Sequence, residues 1–325
     1  MTQPILHPPG DFAPQTVEKA ERLLELLGEI NEHRYLGPRL VLHGGTALNV
    51  FHLDIPRLSV DIDLLYVGGV SLDTMRKERT EVRRELVTLA GKLGYRSNDP
   101  KDEHAGVTYK LAYRTGWGED TIKVDLNFLN RSPVLGHELL SCRYCTPAVN
   151  ARVVPYPELI AGKVKALIER RSAAVRDLYD VHRAASGNRS VGAGWELLQA
   201  LIVYYWSLAE PFPRPLDAHI TDRFVGEEGT LESELFPVLL ADERPGLEEM
   251  IETVSAFLDR LADLSPAQRE YADLMASSGT FRPELIFGRW PEVLERARVS
   301  PAAAWKVENL RKRPGQTEQV EPQAR

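Results

Sequence analysis

Asp61 and Asp63 sit two residues apart, with Val60, Ile62 and Leu64 alternating around them. Apolar–polar alternation of this kind predicts a half-buried strand, here over Val60 to Val67. Side chains on a strand repeat every second residue, so the two carboxylates face the same side. Like charges about 6–7 Å apart repel. A cation is expected between them, and oxygen-only ligands favour Mg2+ or Mn2+ over zinc. Upstream, Gly44 and Gly45 end a short apolar strand, Arg39 to His43. A helical pattern over Thr46 to Leu53 and a turn at Pro56 then lead to the carboxylates. Glycine lets a phosphate approach the backbone, and the N–H groups that open a helix attract anions. Alone, the turn reads more readily as a plain strand-to-helix connection. Beside paired carboxylates it points to metal-assisted chemistry on a phosphate.

The flanking pattern adds further elements. Thr16 to Asn31 has helical spacing, with Thr16 as the expected N-cap and Leu23, Leu24, Leu27 and Ile30 on one face. Ser71 to Leu93 is a second helix whose Arg and Lys residues read as a solvated face, and Gly94 ends it. Gly106 to Arg114 and Thr121 to Leu129 alternate as a hairpin around a turn at residues 115–120. Asp125 shares its parity with Lys123 and Asn127, so it belongs to a polar face. It is either a solvent-facing residue or a third functional carboxylate. Cys142 and Cys145 stand alone apart from His137 upstream. Zinc needs more ligands than these, so they read as ordinary strand or loop cysteines.

Pro155 to Ser186 contains two helical segments and five cations, Lys163, Lys165, Arg170, Arg171 and Arg176, within fourteen positions. A lysine on a rigid helix can neutralise part of a triphosphate charge. Asp177 can orient such a lysine or act as a base. A surface helix with i,i+4 ion pairs, Arg176 with Asp180 among them, is the alternative. Gly187-Asn188 stops the second segment. Trp195 to Leu208 reads as a buried helix whose Tyr204-Tyr205-Trp206 run belongs to a core. Ser265-Pro266 is a good helix start. Pro314 to Arg325 is polar and expected to be disordered. The expected domains are 1–150, a helical 151–313, and the tail 314–325.

Composition narrows the classes. A formal net charge of −7 excludes binding through an overall basic surface, while leaving room for a local phosphate-binding patch. No run approaches the roughly 20 apolar residues of a membrane span, and no signal-peptide pattern opens the chain. Two cysteines make no disulfide framework, so a cytoplasmic place is expected.

The Gly44-Gly45 turn followed by Asp61-Ile62-Asp63 resembles the signature of the polymerase β-type nucleotidyltransferase superfamily. The strings Gly44-Gly45-Thr46-Ala47-Leu48 and Arg57-Leu58-Ser59-Val60-Asp61-Ile62-Asp63-Leu64 are similar to the AbiEii/AbiGii toxin family, which includes the mycobacterial MenT toxins. That family's A-x-K-x-x-A-L…R-D-x-x-D string matches Lys163, Arg170-Arg171 and Arg176-Asp177, with Asp180 beyond. The resemblance implies an α/β (α+β) polymerase β-like domain with a mixed sheet, then a helical domain, with the active site in the cleft between them. It implies Asp61, Asp63 and Asp125 as metal ligands, and Lys163 and Asp177 as catalytic residues. Gly44, Gly45, Thr46, Ser59 and Lys163 are expected to hold the NTP. The implied reaction transfers NMP from the NTP to RNA, at the tRNA 3′ end, blocking translation. A cognate antitoxin is the implied partner. The fifteen residues between Gly45 and Asp61, Val60 in place of an acidic residue, and a long C-terminal region depart from the pattern. A protein or small-molecule acceptor and a non-catalytic NTP-binding module are the rival readings. Three carboxylates with Lys163 argue against the last.

Overall fold

Segments with period-two alternation build one mixed sheet, and the residues between its strands cover it. The computed structural model describes residues 3–103, 105–116, 118–170, 172–187, 194–240 and 242–312. Arg171, Asn188, the Trp117 position of the hairpin turn and the tail Pro314 to Arg325 lie outside the described residues. The chain divides into two units, Met1–Leu159 with Gly226–Glu249, and Ile160–Val225 with Met250–Arg325.

The first unit carries β1 (Ile5–Leu6), α1 (Pro14–Glu32), β2 (Leu40–His43), α2 (Gly44–Thr46), β3 (Asp61–Tyr66) and α3 (Leu72–Lys92). After these come β4 (Arg96–Ser97), β5 (Lys101–Asp102), β6 (Gly106–Thr115), β7 (Gly118–Asn127), β8 (Glu138–Ser141), β9 (Cys145–Thr146) and β10 (Asn150–Val153). The sheet runs β4-β6-β7-β3-β2-β10-β8, with β5 also paired to β6. β3 is parallel to β7 and β10 is parallel to β2, while the other pairs in this sheet are antiparallel. Ile62, Ile122 and Val124 are fully buried on one face of β3 and β7. The intervening polar residues are thereby left on the other.

Two helix expectations need correction. α1 starts at Pro14, not behind Thr16, because the fixed φ of proline suits the first helical position. Thr16 Oγ1 instead donates to Pro237 O at 3.4 Å. α3 is capped by Ser71, whose Oγ accepts from Thr74 N at 3.1 Å. Its cations are not all solvated, however. Arg79 donates to Asp102 Oδ1 at 2.5 Å and to Glu103 O at 2.7 Å, and Arg83 donates to Asp102 Oδ2 at 2.5 Å and Tyr109 OH at 3.2 Å. These two arginines tie α3 to β5 and β6.

On the same helix, Glu78 accepts from Arg39 Nε at 3.0 Å and from the hydroxyl of fully buried Tyr66 at 2.7 Å. The Arg39 hydrogen bond, outweighing burial, holds the Glu78 carboxyl below its ordinary range. A lowered carboxylate pKa contributes stability above the ordinary glutamate range and loses it as pH falls through the folded value. Glu78→Ala is expected to cost about 2 kcal/mol at neutral pH, since it leaves the Tyr66 hydroxyl without its acceptor. Denaturant titrations at neutral and acid pH check this: the gap between wild type and variant narrows on acidification.

Residues 226–249 return to the first unit after the second has begun. There Leu58 N donates to Val238 O at 2.7 Å, Leu240 N donates to Pro56 O at 3.1 Å, and Arg57 bridges Leu239. Cys142 and Cys145 are buried, and among the described residues no further ligand joins them in a metal set.

The point of division falls inside α4 (Tyr156–Glu169), and the second unit continues with α5 (Val175–Ser186) and α6 (Gly194–Leu208). Tyr204 is buried against Phe287 at 5.6 Å and Tyr205 at 5.3 Å between ring centroids, so the aromatic run is core. Ser265 and Gln268 form a capping box at the start of a later helix, Pro266–Ser278. Among the described residues, no helix is long and apolar enough to cross a membrane.

Candidate active site

The parallel pairing of β3 with β7 sets Asp63 opposite Asp125 and Asp61 opposite Lys123. Residues opposite one another in a ladder share a face. The three carboxylates and Lys123 therefore occupy one half-buried face of two adjacent strands. Asp125 Oδ1 accepts from Thr108 Oγ1 and Oδ2 accepts from Lys123 Nζ, both at 2.5 Å. Burial works to lower the Lys123 pKa. It is outweighed by the hydrogen bond to and charge of Asp125 and by the charges of Asp61 and Asp63, which leave it raised.

This arrangement decides whether the face suits a metal. Among the described residues, no three acidic, His or Cys side chains stand close enough together to hold an ion as they are placed. The Lys123 ammonium supplies the positive charge instead. The donor set nonetheless consists of carboxylate oxygens on one face, already drawing in a cation. That chemistry fits a hard divalent ion such as Mg2+.

The glycine turn lies against the same strand. Gly44 has φ +73°, and a Cβ there would come within 2.2 Å of Asp63 Oδ2. A Cβ on Gly45 would meet Arg57 Nη2 at 2.8 Å and Ser59 Oγ at 3.0 Å. α2 therefore begins at Gly44, two residues before the expected start, and runs into a π-helical turn over Ala47–His52. Thr46 is buried and its Oγ1 donates to Asp61 O at 2.6 Å. The hydroxyl thus fastens the turn to the carboxylate strand.

In the second unit, Lys163 on α4 meets two carboxylates of α5. Its Nζ lies 2.7 Å from Asp177 Oδ1 and 2.8 Å from Asp180 Oδ2. Asp177 and Asp180 stand at i,i+3 on α5 and so share a face. The side chains of Lys163, Asp177 and Asp180 are 12%, 5% and 0% exposed. Arg170 Nη1 lies 3.2 Å from Asp177 Oδ2. Burial on this scale rules out the surface ion-pair reading for Lys163 and Asp177.

A family model described as the AbiEii nucleotidyl transferase toxin of type IV toxin–antitoxin systems matches residues 25–296. The chain belongs to the AbiEii family. It is accordingly a nucleotidyltransferase and the toxin of a toxin–antitoxin pair. A candidate nucleotidyltransferase from H. pylori is similar in structure, with a TM-score of 0.50 and 16% identity over 77% of this chain and 96% of that one. JHP933 from Helicobacter pylori is also similar, with a TM-score of 0.44 and 16% identity over 78% of this chain and 94% of that one. The former likeness bears on the fold alone and agrees with a polymerase β-like mixed sheet. No curated protein matches the chain.

Within this AbiEii nucleotidyltransferase, β3, β7 and the Gly44–Gly45 turn bring together Asp61, Asp63, Asp125, Gly44, Gly45, Thr46 and Ser59. α4 and α5 bring together Lys163 and Asp177. Lys123, Arg57 and Asp180 are absent from the expected set. The parity of Lys123 with Asp125, and of Arg57 and Ser59 with Asp61, is visible in the sequence. Their convergence depends on long-range pairing that is not. Gly44→Ala is expected to destabilise the AbiEii protein by about 2 kcal/mol, through the left-handed backbone alone. Overlap with Asp63 adds to this. Urea unfolding checks the value.

Proposed function

We propose that the protein transfers a nucleoside monophosphate from an NTP to a hydroxyl of RNA, at the tRNA 3′ end, with Mg2+ or Mn2+ held by Asp61, Asp63 and Asp125. One observation carries the reading: three carboxylates share one face of two adjacent parallel strands, one of them bound to the Lys123 ammonium, beside a glycine turn that opens a helix. When bound, a divalent ion at these carboxylates supplies Lewis acidity toward phosphate oxygens. Gly44, Gly45 and Thr46 offer backbone N–H groups to the phosphates, and Ser59 adds a hydroxyl. Lys163 contributes a positive charge that offsets charge building on the leaving pyrophosphate.

Asp177 serves this reaction as the residue that orients Lys163. Both its oxygens face cations, Lys163 Nζ at 2.7 Å and Arg170 Nη1 at 3.2 Å. That geometry favours holding a lysine over receiving a proton from an acceptor hydroxyl. The RNA acceptor is supported by the resemblance to the MenT toxins, and a tRNA target places the action in the cytoplasm.

The test incubates the protein with Mg2+, each of the four α-labelled NTPs, total RNA and cell protein. Label in tRNA-sized RNA, lost when the 3′ hydroxyl is removed by periodate, is expected. Label in a protein band or a small molecule would replace RNA as the acceptor.

A further inference from the structure

The strand order β2-β3-β7-β6-β4 puts the glycine turn, which follows β2, on one flank of the carboxylates and the β6–β7 hairpin on the other. On the hairpin flank, Lys110 pairs in register with Lys123, which is itself opposite Asp61. Arg114 is opposite Glu119, and Arg96 on β4 is opposite Ala112. Lys101 on β5 is opposite Thr108, which is opposite Asp125. Residues opposite one another share a face. Lys101, Lys110, Arg96 and Arg114 therefore lie on the carboxylate side of the sheet. α3 covers the other side, where Arg83 meets the hydroxyl of buried Tyr109.

Two of these four cations already have carboxylates. Lys101 Nζ lies 2.5 Å from Glu103 Oε1, and Arg96 Nη2 lies 2.7 Å from Glu119 Oε2. Lys110 and Arg114 are exposed and, among the described residues, make no ion pair. Neighbouring strands are about 4.8 Å apart, so Lys110 stands two strands, about 10 Å, from Asp61 in one cross-strand row. Arg114 follows four residues along β6, about 13 Å from Lys110. There, Arg114, Arg96, Arg22 and Tyr113 line a cavity of about 450 Å3. Arg22 has its own carboxylate, Glu18 Oε1 at 3.7 Å.

The chain carries a formal net charge of −7. A polyanion is repelled by such a surface on average and docks only where cations are in local excess. In-line displacement at phosphorus adds a direction, because the attacking oxygen enters opposite the leaving one. With the NTP phosphates at the turn after β2, the acceptor enters from the side of β7 and β6, where Lys110 and Arg114 stand. Exposed cations in fixed register suit a phosphate backbone rather than base edges.

We propose that Lys110 and Arg114 form a docking strip for the phosphate backbone of the RNA acceptor, with Lys110 nearer the reacting end and Arg114 at the arginine-lined cavity. The inference rests on the NTP placement and the RNA acceptor proposed above.

The experiment measures binding of labelled total tRNA to the full-length protein by fluorescence anisotropy, in Mg2+ without NTP, over a range of salt concentrations. Lys110→Gln/Arg114→Gln is expected to raise the Kd about tenfold at low salt. It also flattens the slope of log K against log salt by about 1.4, the counterion release of two single-strand phosphate contacts. Arg76→Gln/Lys77→Gln removes the same charge from exposed positions of α3 and stays within about twofold of wild type. NTP affinity, read by calorimetry, stays within about twofold in both variants. If the first double variant does not fold, Lys110→Gln alone carries the test, with half the change in slope. An equal loss of tRNA in the α3 variant overturns the inference. Poly-glutamate that displaces tRNA at equal charge concentration assigns the strip to an acidic protein and overturns it too. If wild type binds no tRNA, the RNA acceptor and the strip fall together. If wild type and folded Lys110→Gln/Arg114→Gln bind tRNA with the same Kd and slope, the strip alone falls.

Discussion

Lys163→Ala is expected to lose both stability and activity. The variant leaves the Asp180 carboxylate, whose side chain is fully buried, without the ammonium 2.8 Å away. It also strips Asp177 of its closer cation, although the largely exposed Arg170 remains nearby. Removing one partner of a buried ion pair costs about 3–5 kcal/mol, because the remaining charge is uncompensated. A loss near the lower end, about 3 kcal/mol, is expected here since Arg170 still faces Asp177. Nucleotide transfer should fall by about 10²–10³-fold, the usual scale for a charge that stabilises a transition state. Replacing all three residues together with apolar ones should recover stability without recovering activity. A Lys163→Ala protein as stable as wild type would contradict the buried clamp, and one that is fully active would remove Lys163 from the reaction.

Asp63→Asn is expected to act chiefly on activity. It removes one of the three carboxylates of the β3–β7 face while keeping the size of the side chain. Activity should drop by about 10³-fold or more as a ligand for the divalent ion is lost. A second readout separates metal binding from catalysis. An ion that binds only the folded state at a hundred times its Kd stabilises by about 2.7 kcal/mol. Wild type should therefore gain thermal stability on addition of Mg2+ or Mn2+, and Asp63→Asn should not. An equal metal-induced shift in both proteins would place the ion elsewhere.

The sequence carries the local half of this site and little of the long-range half. Alternation around Ile62 is enough to put Asp61 and Asp63 on one face, because strand parity is a local property. Parity also puts Asp125 on a polar face with Lys123. It cannot say that β7 lies parallel beside β3, some sixty positions away in the chain, or that Lys123 ends up among the carboxylates. The two glycines are recognisable as a turn. Their physical necessity appears only when Asp63, Arg57 and Ser59 are seen to fill the space a Cβ would take. The return of residues 226–249 to pair with Pro56 and Leu58 has no local signature, since a backbone ladder is indifferent to side chains. Thr16 illustrates a different limit. It is a good cap in isolation, yet Pro14 starts the helix earlier. Arg79 and Arg83 look like solvent-facing charges until β5 brings Asp102 to them.

Nucleotide transfer by the β3–β7 carboxylate face is tested by following the two ends of a labelled NTP in parallel, using wild type and Asp61→Asn with RNA and Mg2+. The α-phosphate label is expected to enter the acceptor and the γ-phosphate label to leave as pyrophosphate, and neither is expected with Asp61→Asn or after chelation of the metal. Transfer of the γ-label to the acceptor, or undiminished α-label transfer by Asp61→Asn, would contradict it.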